Sequence, residues 1–101
     1  MSTLEEQFHH AMIGVFENAR DHGFIPVRFK QMVDQYGGCK AAKRLLAEPI
    51  IQSGLMRLCE LNCLGQSMEA LVLQTRFHEL FTDEERAEAR RRLVELGYVP
   101  K

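Results

Sequence analysis

No apolar run in this chain approaches the ~18 residues that mark a membrane-spanning helix, so no span is expected. The opening Met1-Ser2-Thr3-Leu4-Glu5-Glu6 is acidic and polar, where a secretory leader would carry a basic start and then an apolar run. Neither sign of charge is in excess. Thirteen lysines and arginines stand against 14 acids, for a formal net charge of −1. That balance excludes bulk attraction to nucleic acid or to an anionic membrane. The three cysteines are an odd number in a chain without a leader, and they read as reduced thiols in a cytoplasm. Internal repeats, low-complexity tracts and linkers are missing too, so residues 1–101 are expected to form a single domain. A Gly-rich phosphate loop, a nucleophile elbow and a paired-acid signature are also lacking. The expectation is therefore a non-enzyme without a cofactor.

What is present is helical patterning. Hydrophobic residues make up 46% of the 101, and a chain of this size buries roughly 60–70% of its unfolded surface. Thr82 and Glu85 form a T-x-x-E capping box. Acids fill the first turn that follows, arginines lie further along, and Gly97 is placed to end the helix. Near the start, Ser2 or Thr3 can cap a helix, with Glu5 or Glu6 at the matching box position. Leu4, Phe8, Met12, Val15, Phe16 and Ala19 then share one face, and Gly23 ends it. Pro26 opens a second helix carrying Phe29, Met32, Val33 and Tyr36. Gly37-Gly38 breaks the chain. A third helix starts near Cys39, has Ala41, Ala42, Leu45 and Leu46 on one face, and is stopped by Pro49. Ser53 can cap a fourth. Ser67 caps a fifth, whose Met68, Ala70, Leu71, Val72 and Leu73 are apolar almost all round, as in a buried central helix. The reading is an all-α fold, a compact bundle of five or six short helices. Its expected core is Phe8, Met12, Phe16, Phe29, Val33, Leu45, Leu46, Leu58, Leu71, Val72, Phe77, Phe81 and Leu93.

Candidate chemistry is thin. Cys59 and Cys63 lie four apart, but a structural zinc site needs a second close ligand pair. His9, His10, His22 and His78 are scattered, so no metal is expected. Cys39 follows two glycines at a helix start, the one place where a thiolate would be stabilised. Alternatively, the glycines merely turn the chain and Cys39 packs. The second block of the sequence, residues 24–48, is locally basic. Helices two and three could form a helix-turn-helix in which Lys40, Lys43 and Arg44, opposite the apolar face, are candidate nucleic-acid contacts. A plain helical hairpin gives the same pattern. Arg90-Arg91-Arg92 cannot form one patch, because consecutive helical residues point about 100° apart. With Glu88 and Glu95 four residues away, that stretch reads as a solvated, charge-laced face. Ile50, Ile51, Leu55 and Met56 are more apolar side chains than short helices need to bury, and they are candidate protein contacts.

One resemblance spans the chain from residue 29 to 98. Its carriers are Tyr36-Gly37-Gly38-Cys39-Lys40-Ala41-Ala42-Lys43-Arg44-Leu45-Leu46, Gly54-Leu55-Met56-Arg57-Leu58, and Ser67-Met68-Glu69-Ala70-Leu71-Val72-Leu73. Phe77-His78-Glu79-Leu80-Phe81-Thr82, Glu85-Arg86-Ala87-Glu88-Ala89-Arg90-Arg91-Arg92-Leu93 and Gly97-Tyr98 complete it. Together they resemble a small helical module of bacteria that recurs in uncharacterised proteins and is associated with restriction-type and HNH nucleases. The resemblance implies helices, a bacterial cytoplasm and a place in DNA restriction or phage defence. It implies no catalytic residue. Cys63-Leu64-Gly65 departs from the charged turn expected there, and residues 1–28 are particular to this chain. The resulting expectation is a non-catalytic interaction module that binds a protein partner or itself. A DNA-binding domain using the basic face of residues 39–48 is the alternative.

Overall fold

Helix starts and stops in this chain are set by short polar caps and left-handed residues. The computed structural model describes residues 3–49 and 53–99, without the Ser53 side chain. Six α-helices lie among them: α1 Leu4–Asp21, α2 Val27–Tyr36, α3 Gly38–Ala47, α4 Ser53–Glu60, α5 Met68–Val72 and α6 Asp83–Glu95. Two 3₁₀ turns, Leu64–Gln66 and Thr75–Leu80, join α4 to α5 and α5 to α6. No strand occurs among the described residues.

The expected caps are in place. The Thr3 hydroxyl accepts from the Glu6 N–H, the Ser67 hydroxyl from the Ala70 N–H, and the Thr82 hydroxyl from the Glu85 N–H. Glu85 closes the box by accepting from the Thr82 N–H at 2.9 Å. Three helices end alike. Gly23, Asn62 and Gly97 take positive φ. In each case the next N–H reaches back to a carbonyl in the last turn: Phe24 to Ala19, Cys63 to Leu58 and Tyr98 to Leu93. These are Schellman closures, which satisfy carbonyls that a helix end would otherwise leave open. The stop at Asn62 was not foreseen. The Ser53 cap and the Ile50-Ile51 candidates fall outside the described residues or side chains.

The α2–α3 join is tighter than two free glycines would suggest. Gly37, at φ +84°, is the whole connection, and Gly38 already belongs to α3. A Cβ on Gly38 would lie 2.6 Å from the His9 Cα, so α3 begins in contact with the backbone of α1. The His9 Nδ1 accepts the Gly38 N–H at 2.9 Å, meeting one of the open donors at the start of α3.

Packing centres on Phe8, Met12, Val33, Val72, Phe77 and Phe81. The Phe8 ring meets those of Phe77 and Phe81 edge-on, with centroids 5.0 and 5.1 Å away, a favoured aromatic arrangement. A second cluster joins Ala19, Leu55, Leu58, Leu64 and Leu93. As expected, α5 is central and buried. Two expected core residues are not fully covered. Phe16 is half-buried, and the charged ends of Arg20 and Lys30 lie over its ring. Phe29 is half-buried against an open groove.

Candidate functional site

Helix α6 carries Ala89, Arg92 and Leu93 to the inside. Spacings of three and four residues put them on one stripe, so Arg92 goes where an apolar residue would. It is 0% exposed, which corrects the expectation of a solvated face there. All five of its N–H groups find acceptors. Nε donates to Glu88 at 2.6 Å. Nη1 donates to the Leu45 carbonyl at 3.1 Å and to Glu69 at 3.5 Å. Nη2 donates to the carbonyls of Leu46 at 3.2 Å and Glu48 at 2.7 Å. One guanidinium thus closes the C-terminal end of α3 and ties it to α5 and α6. A buried arginine is tolerated only when its donors are met in this way. The expected Glu88–Arg92 and Arg91–Glu95 pairs both form.

Glu69 is the polar exception in the otherwise apolar α5, and it is 3% exposed. Its Oε2 faces Arg92 at 3.5 Å. Burial pushes the Glu69 carboxyl above the usual range, outweighing its own backbone N–H and Arg92, which pull it down. Glu88 is the opposite case. Hydrogen bonding to Arg91 outweighs its partial burial, and with help from Arg92 it is lowered to about 2.

Glu69 also lines the floor of a groove of about 290 Å³. Val15 and Ala19 of α1 form one wall, and Leu55 and Leu58 of α4 form another. The connection Phe24-Ile25-Pro26 and the start of α2 form the mouth. Ile25 and Val27 stand 59% and 57% exposed at that mouth. The segment Ile25-Pro26-Val27 was not singled out in the sequence as a contact surface. Its signal was two β-branched apolar residues flanking a proline between helices. Of the expected protein contacts, Met56 is 51% exposed, but Leu55 is turned inward at 4%. The correction has a simple cause: Leu55 and Leu58 are three apart and share the buried face of α4, whereas Met56 points away.

The basic face of α3 is largely engaged within the molecule. Lys43 is half-buried and donates to Glu85 at 2.8 Å, with its ammonium 5.1 Å from the Phe81 ring centroid. Burial of Glu85 pushes its carboxyl up, but Lys43 and the Thr82 cap outweigh this and leave it lowered. The Arg44 guanidinium lies 4.1 Å over the Tyr36 ring, and Lys40 is exposed. Nearby, Arg28 pairs with Glu48 and Lys30 with Asp34.

The thiols offer little chemistry. Burial pushes the Cys39 thiol up, opposite to the stabilised thiolate that a helix start would supply. Cys59 donates to the Leu96 carbonyl and Cys63 to the Leu61 carbonyl. No group of three or more potential metal ligands gathers among the described residues, and no helix among them is long and apolar enough to cross a membrane. Comparison with family models, with curated proteins and with solved structures finds no match.

Proposed function

We propose that this chain is a non-catalytic helical interaction module that binds a protein partner, with the groove between α1, α2 and α4 as its recognition surface. One observation supports the reading: Ile25 and Val27 stand more than half exposed at the mouth of an apolar groove. Covering what they leave in water would contribute about 2–3 kcal/mol. A volume near 290 Å³ sits at the lower edge of small-molecule pockets, roughly 300 Å³ and upward. It suits one or two side chains of a docked segment, as in helix-in-groove recognition. Binding to a second copy of the chain would use the same apolar mouth. An accessory place in restriction or phage defence rests on the resemblance of residues 29–98 alone.

The test is selection of displayed random peptides on the full chain, repeated on an Ile25→Ser/Val27→Ser variant whose helical circular dichroism is unchanged. The expected result is peptides with spaced aliphatic residues that bind the wild type and not the variant. Equal binding to both would overturn the reading, as would failure to select any peptide. Salt-sensitive binding to duplex DNA, lost in a folded Lys40→Ala/Lys43→Ala/Arg44→Ala variant, would replace it with the DNA-binding alternative. That sensitivity would be about −0.9 in log–log slope per neutralised phosphate.

A further inference from the structure

We infer that the groove takes a lysine side chain from an apolar partner segment, with the lysine ammonium meeting the carboxylate of Glu69 at the groove floor. The inference rests on the groove being a protein-binding surface, and it assigns the chemistry of the partner.

Glu69 is 3% exposed, yet it lines the groove. Its cation, Arg92, is committed elsewhere. The shortest bonds of that guanidinium go to Glu88 at 2.6 Å and the Glu48 carbonyl at 2.7 Å, and it reaches Glu69 only at 3.5 Å. Only Oε2 of Glu69 is used in that contact. Among the described residues no buried side-chain oxygen lacks a partner. The Glu69 backbone N–H also acts on the carboxylate, and the groove is the opening that Glu69 lines. A carboxylate in an apolar recess, half-neutralised from behind, favours a cation arriving from the front. The raised Glu69 carboxyl is the cost of the present arrangement, and an incoming ammonium would relieve it. Arg28, also at the mouth, is held by Glu48, which offsets its repulsion.

Lysine fits better than arginine. A carboxylate already shared with Arg92 and its own N–H matches a compact ammonium, whereas a guanidinium fork is best met by two free oxygens. The four-carbon stem of lysine can lie along Val15, Phe29, Leu55 and Leu58 while its head reaches the floor.

The experiment uses the full chain and two kinds of probe. The first kind is n-hexylammonium, hexanol and hexanoate, titrated while the leucine and valine methyl resonances are followed. Hexylammonium should shift the Leu55 and Leu58 methyls with about tenfold or greater preference over hexanol, as expected for one charge-assisted hydrogen bond. Hexanoate should bind weakest. The second kind is the display-selected peptides, each remade with norleucine in place of its lysine. That change should weaken binding about tenfold or more on the wild type and leave it unchanged on Glu69→Gln. Glu69→Gln keeps an acceptor for Arg92. A second variant, Gly54→Leu, leaves Glu69 untouched and fills the mouth from a helical position whose Cβ would sit 3.7 Å from the Phe24 ring. It should abolish binding of every probe. Selected peptides without lysine, unaffected by Glu69→Gln, overturn the lysine assignment and leave the groove reading standing. Hexylammonium binding tightly where no peptide binds overturns it in favour of a free amine, and the groove reading falls with it.

Discussion

Replacing Arg92 should be the most damaging single change on helix α6, although the sequence places it within a run of three arginines. Arg92→Met keeps much of the apolar bulk and removes the guanidinium. The carbonyls of Leu45, Leu46 and Glu48 then lose their donor, and Glu69 is left buried without its cation. Removing one partner of a buried pair costs about 3–5 kcal/mol. Natural domains are stable by only about 5–15 kcal/mol, so a loss of this size would bring the variant toward the edge of folding. For a chain of about this size each kcal/mol moves the midpoint by roughly 4–8 °C, so 3 kcal/mol lowers Tm by about 12–24 °C. The assay is urea unfolding followed by circular dichroism, with equal slopes confirming that the comparison is of stability. The double variant Arg92→Met/Glu69→Met should recover part of the loss, because it removes the orphaned acid, but not all of it, because the end of α3 stays open. A loss below about 1 kcal/mol, the size expected of an exposed ion pair, would refute the argument.

Other outcomes follow from the same structure. Gly38→Ala forces a methyl to within 2.6 Å of the His9 backbone, and it should cost at least the ~1–3 kcal/mol typical of overpacking, read by the same unfolding assay. Stability should fall in acid as Glu88 protonates. Its folded value of about 2 lies below the unfolded one near 4.5, so its contribution is present above 4.5 and lost as pH falls toward 2. Glu69, raised on folding, works the other way: its contribution is full below the unfolded value and is lost as pH rises through the folded one. Glu69→Gln should therefore remove a loss on the alkaline side while leaving the acid limb, and unfolding from pH 2 to 8 checks both. The Cys39 thiol should react with a disulfide reagent more slowly at neutral pH than a free cysteine does, with its rate rising at higher pH than the ordinary ~8.5.

Much of the fold could be read from local chemistry. Thr3, Ser67, Thr82 and Glu85 announce helix starts because a cap is a contact between near neighbours, visible in any four-residue window. Gly23 and Gly97 announce stops for the same reason. Asn62 does so less clearly, since asparagine tolerates the left-handed region without being dedicated to it. The Arg92–Glu69 pair was hidden by its separation of 23 residues. Its trace was there all the same: one acid in an apolar helix, and one arginine on the stripe shared with Ala89 and Leu93. Reading Arg90-Arg91-Arg92 with Glu88 and Glu95 as one charge-laced face averages that signal away. Lys43 was misjudged for a related reason. On its own helix it lies on the polar face, but α6 places Glu85 against that face, and no periodicity within α3 reveals it. The groove belongs wholly to tertiary structure, because its lining comes from five helices and one connection.

The central claim is that this groove is where a partner docks, and the most direct measurement is intermolecular nuclear Overhauser contacts between a selected peptide and the methyl groups of the chain. The account predicts contacts to Val15, Ile25, Val27, Leu55 and Leu58, which line the groove and its mouth. Contacts confined to Met56, Val94 and Val99, which are exposed and do not line it, would contradict it.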